Sequence, residues 1–193
     1  MMLDRSHLAS HLQAFPKTTI PVASLRPAAV LIPLYQRDGR DHLLFTERTA
    51  HLEHHAGEIS FPGGGYDHSD KDLSETALRE TEEELGIARS QVEVLGRLDD
   101  FYSVHGYHVV PFVGTIPLPD NLQHDPFEIA GIFEAPLNHF RNPSTHRIEN
   151  WQHLGRTHPV DFYEFEGHTI WGLTAAILRQ FIEETAALRT VAF

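Results

Sequence analysis

The stretch FPGGGYDHSDKDLSETALRETEEELGI, Phe61 to Ile87, decides how the rest of the chain is read. Pro62 and the glycines Gly63, Gly64 and Gly65 are expected to turn the chain and to free its backbone for close approach to a ligand. An acidic segment punctuated by Ser and Thr then leads into a helical pattern from about Leu73 to Leu85, ended by Gly86. At about 100° per residue, Glu80, Glu83 and Glu84 share one arc of that helix. Leu78, Thr81 and Leu85 share another, roughly opposite a solvated pair, Glu75 and Glu82. Glutamates at i, i+3 and i+4 repel one another by about 0.2–0.5 kcal/mol per pair when nothing binds between them. A hard divalent cation removes that cost, and an all-oxygen ligand set favours Mg²⁺ or Mn²⁺ over zinc. Such a cation keeps water and phosphate oxygens in its shell, so the expected substrate is a phosphate ester or anhydride. A solvated helix face is the plainer reading of the same acidic run. Arg79, able to orient a carboxylate, and the adjacent glycines favour the cation site.

Arg79 to Ile87, RETEEELGI, resembles the second half of the Nudix box, R-E-U-x-E-E-x-G-U, with Thr81 in an apolar position. The first half departs, because Lys71 stands where G-x5-E-x7-R expects Glu, with Asp70 and Asp72 on either side. The loop of Nudix enzymes that cleave coenzyme A has similar spacing and no strict Glu there. Leu44 to Gly64 is similar to the coenzyme A pyrophosphatase signature through Thr46, Arg48, Gly57 and Phe61 to Gly64, with His55 and Glu58 at commonly matched positions. Glu53 departs from it, standing where the signature has a basic residue. Ser103 and Gly106, the Glu128 to Glu134 segment and IWGLTAAIL near the C-terminus resemble further parts of the same subfamily, so the likeness runs from about residue 28 to residue 182.

That resemblance implies an α/β Nudix fold, a mixed β-sheet sandwiched between α-helices, and a metal-dependent diphosphatase. It implies metal ligation by Glu80, Glu83 and Glu84, with Arg79 as orienting residue and Glu128 as a carboxylate for a second metal or for activating water. Arg48, His55, Gly63, Gly64, Gly65 and Ser103 are the expected substrate contacts. The implied reaction cleaves coenzyme A to 4′-phosphopantetheine and adenosine 3′,5′-bisphosphate. Other nucleoside diphosphate derivatives, such as NADH, ADP-ribose or a nucleotide sugar, form the alternative, and a non-catalytic nucleotide-binding module is a third class.

Composition narrows the partners. The chain has 193 residues with 41% hydrophobic content, enough for one substantial core, and a single domain over residues 1–193 is expected. Fifteen Lys and Arg against 27 Asp and Glu give a net charge of −12, which argues against nonspecific nucleic-acid binding and against anionic membrane surfaces. An anionic small-molecule substrate must then be drawn in by local cations. The absence of Cys excludes disulfides and thiolate chemistry and fits the cytoplasm. Neither a signal peptide nor an apolar run long enough to span a bilayer is visible. Oligomeric state is left open, a homodimer included. His51, His54 and His55 have helical spacing but no fourth ligand for zinc, and read as polar surface with His55 near substrate.

Along the chain, residues 3–15 read as a short helix stopped by Pro16, followed by an extended lead-in to residue 27. The apolar run Ala28 to Leu34 suits a buried strand, Asp38-Gly39 a turn, and His42 to Thr46 its hairpin partner. Val92 to Leu98 and Val109 to Ile116 read as strands, the second at an edge or bulge because of Pro111. Asp99 to His108 reads either as a turn packed by its own aromatics or as a substrate contact. Residues 128–134 read as a strand, 136–140 as a helical turn, and 141–157 as an irregular loop or lid. Strands at 160–165 and 168–171 around Glu166-Gly167 and a closing helix over 172–188 complete the expectation, with Leu173, Ile177, Leu178, Phe181 and Ile182 on the helix's apolar face.

Overall fold

The computed structural model describes residues 2–21, 24–50, 57–120, 122–153 and 155–188. Glu53 and the histidines at 51, 54 and 55 therefore lie outside the described residues.

Helix α1 (Arg5–Ala14) precedes strands β1 (Arg26–Arg37) and β2 (Arg40–Arg48), then the short strands β3 (Ile59–Ser60) and β4 (Gly63–Gly65). Helix α2 (Leu73–Leu85) follows, then β5 (Glu93–Arg97), β6 (Phe101–Tyr102), β7 (Tyr107–Thr115) and β8 (Ile129–Pro136). The chain closes with α3 (Leu137–Phe140), β9 (His146–His153), β10 (Arg156–Phe165), β11 (His168–Trp171) and α4 (Gly172–Glu184). β1 and β7 run parallel while their other partners run antiparallel, so the large sheet is mixed; β9, β10 and β11 form a second, antiparallel sheet.

The run that forms β1 is continuously apolar because both faces of the sheet are covered. Ala28, Val30, Ile32 and Leu34 alternate into a core shared with Leu8 and Leu12 of α1 and Leu178 and Phe181 of α4, while Ala29, Leu31 and Tyr35 face Ala77 and Leu85 of α2. Asp38 and Gly39 take positive φ, 50° and 69°, and close the β1–β2 hairpin with Leu34 opposite Leu43. Beyond that pair the two strands separate, and residues 59–65 fill the wedge between them. β3 pairs with Thr46 and Glu47 of β2, and β4 pairs with Ala28 to Val30 of β1. Gly63 to Gly65 thus form a strand where the sequence suggested a turn. A Cβ on Gly63 would lie 2.3 Å from the Ala29 carbonyl oxygen, which explains why this strand has no side chain there.

Other departures have local causes. β7 is an interior strand, and Pro111 falls where its outer partner changes from β5, which pairs from Phe112 onward, to β6, which pairs at Val109 and His108. A residue without an N–H is tolerated at that changeover. Residues 146–153, expected to be irregular, pair along β10 from His146 opposite Tyr163 to His153 opposite Arg156. Their sequence, HRIENWQH, carries too few apolar residues to show the alternation of a buried strand. On α2 the buried residues are Thr76, Ala77, Thr81, Glu84 and Leu85, so Leu78 is not part of the buried face. Glu75 and Glu82, expected to be solvated, both bind Arg89.

The turn that feeds α2 is fixed by one buried carboxylate. Asp72 caps the helix by accepting from the Glu75 N–H at 2.9 Å, and Gly86 ends it with φ 70°. Asp70, its side chain 2% exposed, accepts from Thr76 Oγ1 at 2.8 Å, from Arg79 Nε at 3.0 Å and Nη2 at 3.1 Å, and from the Asp67 N–H at 3.1 Å. The Arg79 guanidinium holds the Asp70 carboxyl at a pKa of about 2, below the usual carboxylate range. A depressed folded-state pKa contributes stability that is complete above the unfolded value near 4 and is lost as pH falls toward about 2. Asp70→Asn is therefore expected to lower the melting temperature at pH 7 by about 3–10 °C, from charge-assisted bonds worth about 1.5–3 kcal/mol. In thermal scans the gap to the unmodified protein should close between about pH 4 and pH 2; a gap independent of pH would assign the loss to shape alone.

Candidate active site

Arg79 gathers the acidic residues of α2 around the β4 strand. Besides its paired contact with Asp70, Nη1 donates to Glu80 Oε1 at 2.8 Å and to Glu83 Oε2 at 2.9 Å, and Nη2 donates to the Gly65 carbonyl at 2.9 Å. One guanidinium thus ties the feeding turn, the glycine strand and the helix into a single rigid unit. The residue that supplies the carboxylate to Arg79 from the turn is Asp70, whereas Lys71 is exposed. Nothing in periodicity could distinguish these two positions, because the choice depends on how the turn folds back.

Each glycine of β4 does something different. The Gly63 N–H donates to Glu84 Oε2 at 3.2 Å. Gly64 leaves room for Glu80, whose carboxyl oxygens would lie 2.5 and 2.6 Å from a Cβ placed there. Gly65 contributes its carbonyl to Arg79, and a Cβ on it would meet nothing within 4 Å.

Glu84 is the electrostatically exceptional member. Its side chain is 4% exposed, and it faces Arg48, with Nη1 3.8 Å from Oε1. Burial, reinforced by repulsion from Glu80 and Glu128, pushes its pKa up to about 8 despite Arg48 and the Gly63 N–H. Glu80 is raised as well, chiefly by burial and further by Glu83 and Glu128, with Arg79 opposing the shift. Glu128, which the sequence places at a strand start, occupies the turn just before β8. That turn is anchored to the site from both sides, since the Thr49 N–H donates to the Glu128 carbonyl at 2.9 Å and the Asp125 N–H to the Glu84 carbonyl at 3.3 Å.

The sequence-derived residues therefore divide. Arg48, Gly63, Gly64, Gly65, Arg79, Glu80, Glu83, Glu84 and Glu128 are brought together by direct contact or mutual electrostatic influence. Ser103 is not: its hydroxyl accepts from the Tyr107 N–H at 3.2 Å within the β6–β7 turn. That turn lies at the far side of the sheet, since Gly65 pairs with Ala28, Ala28 with Val109 and Val109 with Phe101. Nor is the turn packed by its own aromatics, because Tyr102 is 64% exposed and Tyr107 lies under Arg26, 4.0 Å from guanidinium carbon to ring centre. Asp70 is the site residue that sequence reasoning did not assign.

Among the described residues, no three His, Asp or Glu side chains already converge as a metal cage. Glu80 and Glu83 share Nη1 of Arg79, which occupies the place between them. The donor chemistry nevertheless fits a hard divalent cation: oxygen donors only, and a buried carboxylate, Glu84, whose ionised form lacks sufficient compensating charge.

Comparison with known proteins agrees with this geometry. Residues 25–154 match the NUDIX domain family. The chain is 43% identical over 159 residues to an uncharacterised Nudix hydrolase, NudL, from Photorhabdus laumondii, covering 82% of this chain and 84% of that protein. It is 42% identical over 164 residues to the NudL protein of Yersinia pestis, covering 85% and 82%. In three dimensions it is similar to the crystal structure of a Nudix hydrolase from M. smegmatis, RenU, with a TM-score of 0.58 over 87% of this chain and 90% of that one; at 16% identity the likeness concerns the fold. With a family match across the strands and helix that build the site, and relatives this similar over most of both lengths, the chain belongs to the Nudix hydrolase family.

Proposed function

We propose that this chain hydrolyses the diphosphate linkage of coenzyme A, giving 4′-phosphopantetheine and adenosine 3′,5′-bisphosphate, with Mg²⁺ or Mn²⁺ held by Glu80, Glu83 and Glu84. The observation that carries the hydrolytic part is the buried, under-compensated Glu84 beside Glu80 and Glu128. Once bound, the cation supplies charge neutralisation for diphosphate oxygens and acidifies water. Arg79 orients Glu80 and Glu83, and the Gly63 N–H fixes one oxygen of Glu84. Arg48, at the same carboxylate, supplies positive charge on the side where an anionic substrate approaches. Hydrolysis forms one P–O bond to the water oxygen and breaks the bridging P–O bond. Glu128, exposed and close enough to raise the pKa of both Glu80 and Glu84, is the carboxylate assigned to take the water's proton. His55 is retained as a substrate contact on the strength of the signature. Coenzyme A is favoured by the Leu44 to Gly64 pattern and by the further resemblances at Ser103-Gly106 and the C-terminal IWGLTAAIL.

Glu53 favours a second reading, since a carboxylate where the signature has a basic residue would repel an anionic part of coenzyme A. On that reading the substrate is another nucleoside diphosphate derivative. A product-resolved panel of coenzyme A, its 3′-dephospho form, NADH and ADP-ribose decides between the two. Coenzyme A should be cleaved fastest, with a loss on removing the 3′-phosphate; indifference to that phosphate selects the alternative, and no cleavage of any member with Mg²⁺ or Mn²⁺ marks a binding module. Glu84→Gln should lower turnover on the order of a hundredfold or more and abolish the rise in melting temperature on adding Mg²⁺. Gly64→Ala should fold, because the strand is extended there, yet lose about tenfold or more in turnover as its methyl displaces the Glu80 carboxyl. Full activity in that variant would remove Glu80 from the metal site.

A further inference from the structure

A cavity of about 370 Å³ opens where the end of β2 meets the three-stranded sheet, lined by Glu47, Ile59, Trp151, Phe162, His168 and Trp171 among others. Its size and its aromatic lining with a few polar groups match small-molecule sites. The aromatic wall is already assembled. Trp151 and Trp171 pack with ring centres 5.3 Å apart, and Phe162 stacks on Trp171 at 14° between planes. Trp151 is 43% exposed, and its Nε1 donates to Glu149 Oε2 at 3.0 Å. His168 is held flat against Phe133, with centres 4.2 Å apart and planes at 5°. A half-exposed indole packed against Phe162 and Trp171 presents a π-face at reduced cost in side-chain freedom.

Glu47 is half-buried and, among the described residues, its carboxylate makes no hydrogen bond or ion pair. Its neighbour in the chain, Arg48, turns instead to Glu84 at 3.8 Å. Consecutive side chains of a strand point to opposite faces, so Glu47 serves the cavity on one side of β2 and Arg48 the carboxylate cluster on the other.

We infer that the cavity is a subsite for a nucleobase bearing an exocyclic amino group, stacked on the exposed face of Trp151 and donating from that amine to Glu47. The inference rests on the diphosphatase reading for the identity of the whole substrate, but nucleoside binding is measurable without turnover. The carboxylate selects the base: an amine donates to it, whereas a ring oxo group at the same position meets it acceptor to acceptor. Stacking on an aromatic side chain is worth about 1–3 kcal/mol per base, or roughly five- to 150-fold in affinity.

Adenosine and inosine, which differ in amino against oxo at one ring position, are the probes, titrated into the full chain without added metal and followed by tryptophan fluorescence. Adenosine should bind about tenfold or more tighter than inosine, and Glu47→Gln should bring the ratio to within about twofold, because an amide can serve either group. Trp151→Ala should weaken adenosine about tenfold while Trp151→Phe, which keeps a stacking face, restores most of it. Equal binding of the two nucleosides, an unchanged ratio in Glu47→Gln, or hydrolysis of a nucleoside diphosphate substrate without detectable nucleoside binding overturns the inference. Selective adenosine binding with no hydrolysis of any substrate leaves the subsite standing and overturns the diphosphatase reading.

Discussion

Arg79 has five N–H bonds to give, and the structure uses them on Asp70, Glu80, Glu83 and the Gly65 carbonyl. The feeding turn, the glycine strand and the acid-bearing face of α2 depend on that distribution. A lysine has three rotatable donors on a flexible stem and could not hold a bidentate carboxylate and the other partners in fixed directions. The position of Glu80 relative to Gly64 follows, since the carboxylate is held where only a missing Cβ allows it.

The surrounding fold supplies what the helix could not make alone. Packing of Ala77 and Leu85 against Ala29, Leu31 and Leu44, with Thr81 also buried, sets the rotation of α2 and thereby drives Glu84 toward the sheet. A carboxylate taken out of water carries a penalty of several kcal/mol unless charge or hydrogen bonds compensate it. Here one amide and a guanidinium 3.8 Å away compensate only in part, so the Glu84 carboxyl is pushed above the usual carboxylate range. Apolar packing along the helix thus sets how deeply that carboxylate is buried.

The divergence of β1 and β2 past Leu34 and Leu43 connects the two regions of interest. Residues 59–65 fill the wedge, bringing glycine backbone to the carboxylates on one side and Ile59 to the aromatic cavity on the other. Among the described residues no helix is long and apolar enough to cross a membrane.

What the sequence determined by itself was local. The helix from Leu73 to Leu85 and its glycine stop, the Asp38-Gly39 and Glu166-Gly167 hairpins and the doubly covered strand β1 were legible because each depends on near neighbours or a short period. The Arg79 to Ile87 pattern likewise pointed to the Nudix family. Tertiary structure decided the rest. It made Gly63 to Gly65 a strand, set Asp70 rather than Lys71 on Arg79, buried Glu84 while leaving Glu83 exposed, paired residues 146–153 into a sheet, and separated Ser103 from the carboxylates. Those outcomes turn on which distant strand lies alongside and how much water it excludes, and no spacing within one segment encodes either quantity.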